Sequence, residues 1–336
     1  MLLLYVFSCA PGVYSGDSAE LAAGAALLSF VHAPGYPLYL LLGHLFSRLP
    51  AGDVAYRLNL MSAFFGAVTV LLLARFCHRL TGHLPAAILA ALAFGLSFTF
   101  REQANVAEVY TLNTCCLALL LNVALGWQRA AAADRDSYLL LFALLFALSL
   151  GGHVNPVFLV PAFAVFAGLN GFRPHRDPGI MPGMVLLFLL GLSLYLYLPI
   201  RAMDNPPVIN WLKTDTPAKV WSVLSAERFR GQMFAFGPGQ VLSNAGEGVV
   251  RLLVQFPLVG FILGLAGLRA LWQHDRTWAW FTLIGGGTVF LYTINYDIVD
   301  RSVYYLPLYL LFTLPLCVAL RDLWESARIV PLRAAL

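Results

Sequence analysis

Two carboxylates and a histidine stand near the start of the chain, in "GDSAELAAGAALLSFVHAPGYPLYLLLGHLF", Gly16 to Phe46. Asp17 and Glu20 are one helical turn apart, so a helix starting here puts them on one face. A carboxylate partly shielded from water has a raised pKa and can serve as general base toward a hydroxyl. The same D-x-x-E spacing ahead of an apolar run is close to a capping box, with Asp17 as N-cap and Glu20 at N3. The two roles are compatible, because a capped carboxylate is also a held one. His32 precedes a Pro-Gly turn, where a lone histidine ordinarily packs or caps. Pro34, Gly35 and Pro37 break the helix and redirect the chain. His153, with Asn155 and Pro156, marks another turn. No HxxxH or HExxH spacing occurs, so the sequence supports no metal site.

A second set of groups lies at the ends of apolar runs. Arg101, Arg201 and Arg301 each begin or end such a run, with acids nearby at Glu102, Asp204 and Asp300. Snorkelling or local ion pairing is one reading. Recognition of a lipid-borne phosphate is the other, for which the planar guanidinium fork is suited. Glu108 and Tyr110, in "NVAEVYTLN", fall in the outer third of an apolar run, where an ionisable group is costly and marks a functional site.

The elements that must position these groups are apolar helices. Of 336 residues, 60% are hydrophobic and 11% charged; a soluble domain carries about 25% charge. The solvent is therefore lipid, and the expected class is an all-α polytopic membrane protein. Runs long enough to span fall at 57–76, 84–100, 104–127, 137–152, 155–170, 180–200, 249–271, 278–295 and 303–320. The N-terminal run "MLLLYVFSCAPGVYSG" is short for a span of about 20 residues. It is read as a first span rather than a cleaved signal peptide, since it lacks a basic n-region and a convincing cleavage site. That makes ten candidates. The five cysteines show no CxxC pattern and lie in or beside apolar runs, as buried small hydrophobes do. The net charge of +4 is too modest to indicate nucleic acid.

Charge placement decides whether 36–47 also crosses. If it stays on the outer face, the inside loops hold Arg75, Arg79, Arg129, Arg135, Arg173, Arg176, Arg269, Arg276, Arg321, Arg328 and Arg333. That satisfies the positive-inside rule. Trp127, Trp272, Trp278, Trp280 and Trp324 then gather at the inside ends, as an aromatic belt. The loops mixing acids, His, Asn, Pro and Tyr fall on one outer face. The expected organisation is one integral membrane domain over 1–336, with a first extracytoplasmic loop at 15–56 and a second at 201–248. In the second, "TDTPAKVWSVLSAERFRG" predicts a surface helix with Thr216 as N-cap and Pro217 as first residue. Val220, Trp221 and Leu224 would form its apolar side.

With these residues on the page, a resemblance follows. "GDSAEL", "HAPGYPLYLLLGHLF", "YRLNLMSAFFGAV", "AEVYTLN", "LPIRAMDNPPVINW" and "YYLP" resemble a bacterial family long of unknown function. That family includes the endoplasmic-reticulum O-mannosyltransferases of plexin-type receptors, within the GT-C membrane glycosyltransferases. The resemblance implies a GT-C-like bundle of the ten spans, with a juxtamembrane helix or re-entrant segment in the first outer loop. It implies a glycosyltransferase taking a sugar from a polyprenyl-phosphate donor to a protein, lipid or glycan hydroxyl, outside a plasma membrane such as the bacterial inner membrane. It implies Asp17 as base with Glu20 beside it. Donor phosphate and substrate would be bound by His32, Tyr36, Arg101, Glu108, Tyr110, His153, Asn155, Arg201 and Arg301. His32, Pro34, Gly35, Tyr36 and Pro37 would be the loop that shapes the site. Ala33 departs from the related motif, which has a second proline there. No cofactor is implied with certainty; some members use a divalent cation. A transporter or lipid flippase, or a non-catalytic assembly protein, is the alternative. The outer-face clustering of acids and arginines speaks for interfacial chemistry, since a transporter places such groups near mid-membrane.

Overall fold

In lipid every backbone N–H and C=O must find an internal partner, so helices are the solution for runs this apolar. The computed structural model describes residues 1–173, 178–204, 207–211, 214 and 216–334. In chain order the helices are α1 (Leu2–Ser8), α2 (Ser18–Leu27), α3 (Pro37–Phe46), α4 (Val54–Thr81), α5 (Leu84–Gly95), α6 (Phe98–Gln103), α7 (Tyr110–Arg129) and α8 (Arg135–Leu150). They continue as α9 (Val160–Leu169), α10 (Met181–Leu192), α11 (Tyr197–Asp204), α12 (Pro217–Leu224), α13 (Pro238–Gln255), α14 (Leu258–His274), α15 (Arg276–Ile294) and α16 (Leu306–Ala334). Among the described residues the β pairing is a single parallel bridge, Phe30 to Asn210.

Among the described residues four helical stretches are long and apolar enough to cross a membrane: Val54–Thr81, Tyr110–Arg129, Met181–Met203 and Arg301–Ala327. α13 and α14 make a fifth if a pair bent by 107° counts as one span. Several expected runs are interrupted. The run at 249–271 breaks at Pro257, which donates no N–H and drives the preceding Phe256 out of helical geometry (φ −125°, ψ 82°). The run at 84–100 stops at Gly95, and 104–127 becomes helical only from Tyr110. The N-terminal run yields only the seven residues of α1. The 36–47 segment is α3, a ten-residue apolar helix.

The chain divides into two units. The first holds Met1–Thr69, Phe100–Val157 and Pro174–Ala235. Here α7 is buried almost all round, and α8 closes on it where Gly126 admits the Tyr138 ring and Arg135 lies 4.5 Å over Trp127. The 207–211 segment is tied down by main-chain bonds, Phe30 N–H to Ile209 O at 2.9 Å and Trp211 N–H to Phe30 O at 3.4 Å. Beneath it Phe30, Tyr195, Leu198, Ala202 and Val223 form an apolar cluster.

The second unit holds Val70–Thr99, Phe158–Arg173 and Phe236–Leu336. Its core is Trp278, fully buried against Phe76 (4.8 Å) and Phe166 (4.7 Å). This corrects the aromatic-belt reading: Trp278 and Trp127 are core rings, 0% and 4% exposed. A belt ring has to meet the lipid interface.

α12 forms as its sequence dictates, with Pro217 in its first turn and the Thr216 side chain accepting from Lys219 N–H. The apolar side differs from expectation, because Val223 is the buried residue and Trp221 is 66% exposed. Thr216→Ala is expected to cost this helix about 1 kcal/mol. Hydrogen exchange at the α12 amides should accelerate selectively; an unchanged rate would remove the cap's role. Asn205, Pro206, Asp215 and Arg176, which figure in the sequence reading, lie outside the described residues.

Candidate active site

Gly16, with φ +75°, turns the chain into Asp17. Asp17 occupies the N-cap position of α2, but its backbone is helical (φ −77°, ψ −6°) and its side chain makes no capping bond. A capping side chain hangs from an extended residue, so the capping-box reading is corrected. Glu20 does not reach back to the helix start either. Its Oε1 accepts the His32 backbone N–H at 2.6 Å, and its Oε2 lies 3.2 Å from His32 Nδ1. The return that makes this contact begins at Leu28, the left-handed C-cap of α2 (φ 48°). It continues through Phe30, which is held by the bridge to the 207–211 segment.

Tyr36 is also left-handed, with φ 41°, and starts α3; the Ala33–Pro34 peptide before it is cis. This backbone sets the Tyr36 ring between two imidazoles. Its hydroxyl is 3.1 Å from His32 Nε2, and its ring stacks on His153 at 5.8 Å between centroids. Tyr110 meets the other part of the wall, 5.4 Å from His153. His32 Nε2 is 3.6 Å from Asp17 Oδ2. The order along the site is therefore Glu20, His32, Asp17, with Tyr36 beside the second.

The chemistry of this chain follows from which nitrogen faces which oxygen. A carboxylate accepts only, so Nδ1–H donates to Glu20 and fixes the ring. Nε2 is then the atom presented to Asp17 and Tyr36. The Asp17 side chain is 53% exposed and that of Glu20 20%. Asp17 is thus the more open of the two carboxylates, while Glu20 is turned onto His32. Burial pushes the Glu20 carboxyl up, but bonding to His32, the His32 charge and the Arg228 charge outweigh it and hold Glu20 below its ordinary value. His153 is pushed down to about 3 by burial, with the His32 charge adding to it. It accepts the Asn155 N–H at Nδ1 (3.1 Å) and stays neutral.

The Glu20 shift has a pH signature. A carboxyl held below its unfolded value stabilises the fold above that unfolded value, and the gain is lost as pH falls through the lowered one. Glu20→Gln removes it. The unfolding-temperature gap between wild type and Glu20→Gln is expected to be present at pH 7 and to close on acidification. A gap independent of pH would contradict this assignment.

The remaining expected site residues are dispersed. Glu108 sits in the non-helical stretch before α7, its N–H donating to Ser62 Oγ at 3.3 Å. Asn155 opens a short 3-10 turn, Asn155–Leu159. Arg201 Nε donates to Leu28 O at 3.5 Å. Arg101 is exposed on α6, its charge acting on Tyr5. Arg301 belongs to the second unit, where it pairs with Glu247 at 2.6 Å, beside Arg251 on the same carboxylate. Sequence reasoning missed Arg228, which lies over Trp211 at 5.7 Å; its only signal was the basic "ERFRG" stretch. Asp17, Glu20 and His32 offer ligand atoms within 4.8 Å of one another. One His32 nitrogen and one oxygen of each carboxylate thus lie close enough together to hold a divalent cation.

The family model of the "Protein O-mannosyl-transferase TMEM260 N-terminal domain" matches residues 17–173, a segment that starts at Asp17 and contains His32, Tyr36, Tyr110 and His153. The chain is 35% identical over 192 residues to mouse protein O-mannosyl-transferase TMEM260, covering 56% of this chain and 27% of the mouse protein. It is 27% identical over 297 residues to the Dictyostelium discoideum tmem260 protein, covering 83% of this chain and 36% of that one. Among solved structures it is similar to ArnT from Cupriavidus metallidurans bound to undecaprenyl phosphate, with TM-score 0.66 and 14% identity. That similarity covers 95% of this chain and 58% of ArnT; apo ArnT gives 0.65. The chain is similar to the TMEM260 O-mannosyl-transferases and has an ArnT-like fold. It is an integral membrane protein of helices. It spans 27% and 36% of the length of the two curated relatives.

Proposed function

We propose that the chain is a membrane glycosyltransferase with Asp17 as general base, moving a sugar from a polyprenyl-phosphate donor to a hydroxyl on the extracytoplasmic face. The observation that carries this reading is the half-exposed Asp17 carboxylate 3.6 Å from a His32 ring that Glu20 holds from behind. In the reaction Asp17 takes the acceptor O–H proton as that oxygen bonds to the anomeric carbon with inversion. The anomeric carbon–phosphate oxygen bond breaks, and polyprenyl phosphate leaves with the electron pair. His32 Nε2, 3.6 Å from Asp17 Oδ2, holds the carboxylate in place toward the acceptor hydroxyl. Arg201 and Arg228 are the guanidinium groups of this unit proposed to face the leaving phosphate, whose growing charge is the main electrostatic demand. The relatives' name favours mannose as the sugar and a protein as the acceptor, and the undecaprenyl phosphate bound to ArnT favours the lipid carrier.

The test is transfer of labelled mannose from polyprenyl-phosphate mannose in membranes containing the wild-type chain, with Asp17→Asn in parallel. Transfer that depends on Asp17 is the expected result. Transfer untouched by the substitution would remove the base. Movement of the lipid across the bilayer without sugar transfer would favour a transporter, which would have use for a broken pair such as α13–α14.

A further inference from the structure

Helix α13 has its polar side turned inward and its apolar side turned out. Asn244, Gly248, Arg251 and Gln255 recur at i, i+4, i+7 and i+11, one face of a helix. On that face Asn244, Gly248 and Gln255 are buried. Asn244 Nδ2–H donates to Ile294 O at 2.8 Å, and Gln255 Oε1 accepts the Thr99 N–H at 2.9 Å. The other side carries Leu242, Val249, Val250 and Val254, each more than half exposed. A helix arranged this way has lipid outside it and keeps its ionisable groups toward the protein.

Glu247 and Arg251, one turn apart, border the inner face. Arg251 Nε–H donates to Glu247 Oε1 at 2.8 Å. Arg301, from the 3-10 turn Arg301–Tyr305, donates through Nη2 to Glu247 Oε2 at 2.6 Å and lies 5.7 Å over the Phe236 ring. Two positive charges thus flank one negative charge. Asp300, next to Arg301 in the chain, is felt at Tyr296, whereas Tyr305 feels the three charges of the cluster. None of the three is sealed off: the Glu247 and Arg251 side chains are 38% exposed and that of Arg301 17%. A guanidinium has five N–H donors, of which Glu247 engages two on Arg251 and one on Arg301.

The surroundings select the ligand. Guanidinium forks match the oxygens of a phosphate, and the surplus positive charge calls for an anion. Val250 and Val254 follow Glu247 by three and seven residues, so they edge the charged group on its outer side. An anion meeting the arginines from that side comes through lipid, with its own hydrocarbon against the two valines. A free phosphate gains nothing from that apolar edge, and a zwitterionic headgroup brings no net charge.

We propose that Arg251 and Arg301 bind the phosphate of an anionic phospholipid whose chains lie along Val250 and Val254. The site lies wholly in the second unit and does not depend on the transferase reading.

The experiment titrates the full chain in detergent with fluorescent phosphatidylglycerol and, in parallel, fluorescent phosphatidylcholine. Polyprenyl phosphate and inorganic phosphate serve as competitors. The wild type is expected to bind phosphatidylglycerol about tenfold or more tightly than phosphatidylcholine. Arg251→Gln and Arg301→Gln should each weaken phosphatidylglycerol by about tenfold and leave phosphatidylcholine within about twofold. Both variants leave Glu247 short of a partner, so Glu247→Gln guards against loss of folding. It keeps an acceptor oxygen, removes the competing negative charge, and should bind phosphatidylglycerol more tightly. Weaker binding by Glu247→Gln, or equal affinity of the wild type for the two phospholipids, would overturn the site and leave an ion pair that braces α13. Displacement by inorganic phosphate at matched concentration, or by polyprenyl phosphate in preference to phosphatidylglycerol, would overturn the phospholipid assignment.

Discussion

Asp17→Asn is expected to lower kcat for sugar transfer by about 10²–10⁴-fold with little change in KM for the donor, the range over which a positioned general base acts. The amide keeps the carboxylate's shape but cannot take the acceptor proton. The side chain is half exposed and makes no capping bond, so the fold should keep its stability to within about 0.5 kcal/mol. The contrast with Glu20 is the informative part. Glu20 touches His32 and not the reacting hydroxyl, so Glu20→Gln should reduce kcat less and shift the pH at which activity is half-maximal. Single-turnover transfer across pH 5 to 8 separates the two. Equal losses with superimposable pH profiles would show that the carboxylates act as one unit and that Asp17 has no special role.

The second large effect concerns stability. A side chain begun at Gly267 on α14 would lie 2.0 Å from the Pro315 carbonyl oxygen of α16, a backbone atom that cannot swing aside. Small residues that let backbones touch hold membrane helices together, and overpacking such a contact costs about 1–3 kcal/mol. Gly267→Ala should sit at the upper end of that range, because the whole helix has to move. Gly287→Ala on α15 is the control, since nothing lies within 4 Å of the added atom. Thermal unfolding in detergent should show a clear drop for Gly267→Ala and almost none for Gly287→Ala. Matching unfolding temperatures would sink the close-packing account of α14 against α16.

What could be read in advance tracks how local the determining physics is. Thr216 and Pro217 announced α12 because a cap needs only its next three residues. Asp17 and Glu20 were legible as a pair one turn apart. Their division of labour was not, because it depends on His32 returning from 12 residues away through left-handed Leu28. The Arg301–Glu247 pair, 54 residues apart, left no local trace. Pro257 was visible, but a count of apolar residues is blind to one missing N–H.

The Phe30–Asn210 bridge carries a last consequence, for mutational scanning. It is written in main-chain atoms, and the nearby Val208 side chain is 92% exposed. Alanine placed anywhere from Val208 to Trp211 keeps every amide and carbonyl that makes it, so such a scan would report the segment as tolerant. Proline at 211 deletes the N–H that donates to Phe30 O and would loosen the strand leading to His32. A stretch that looks free to vary in side chains is thereby constrained in backbone, and sequence drift there says nothing about its importance.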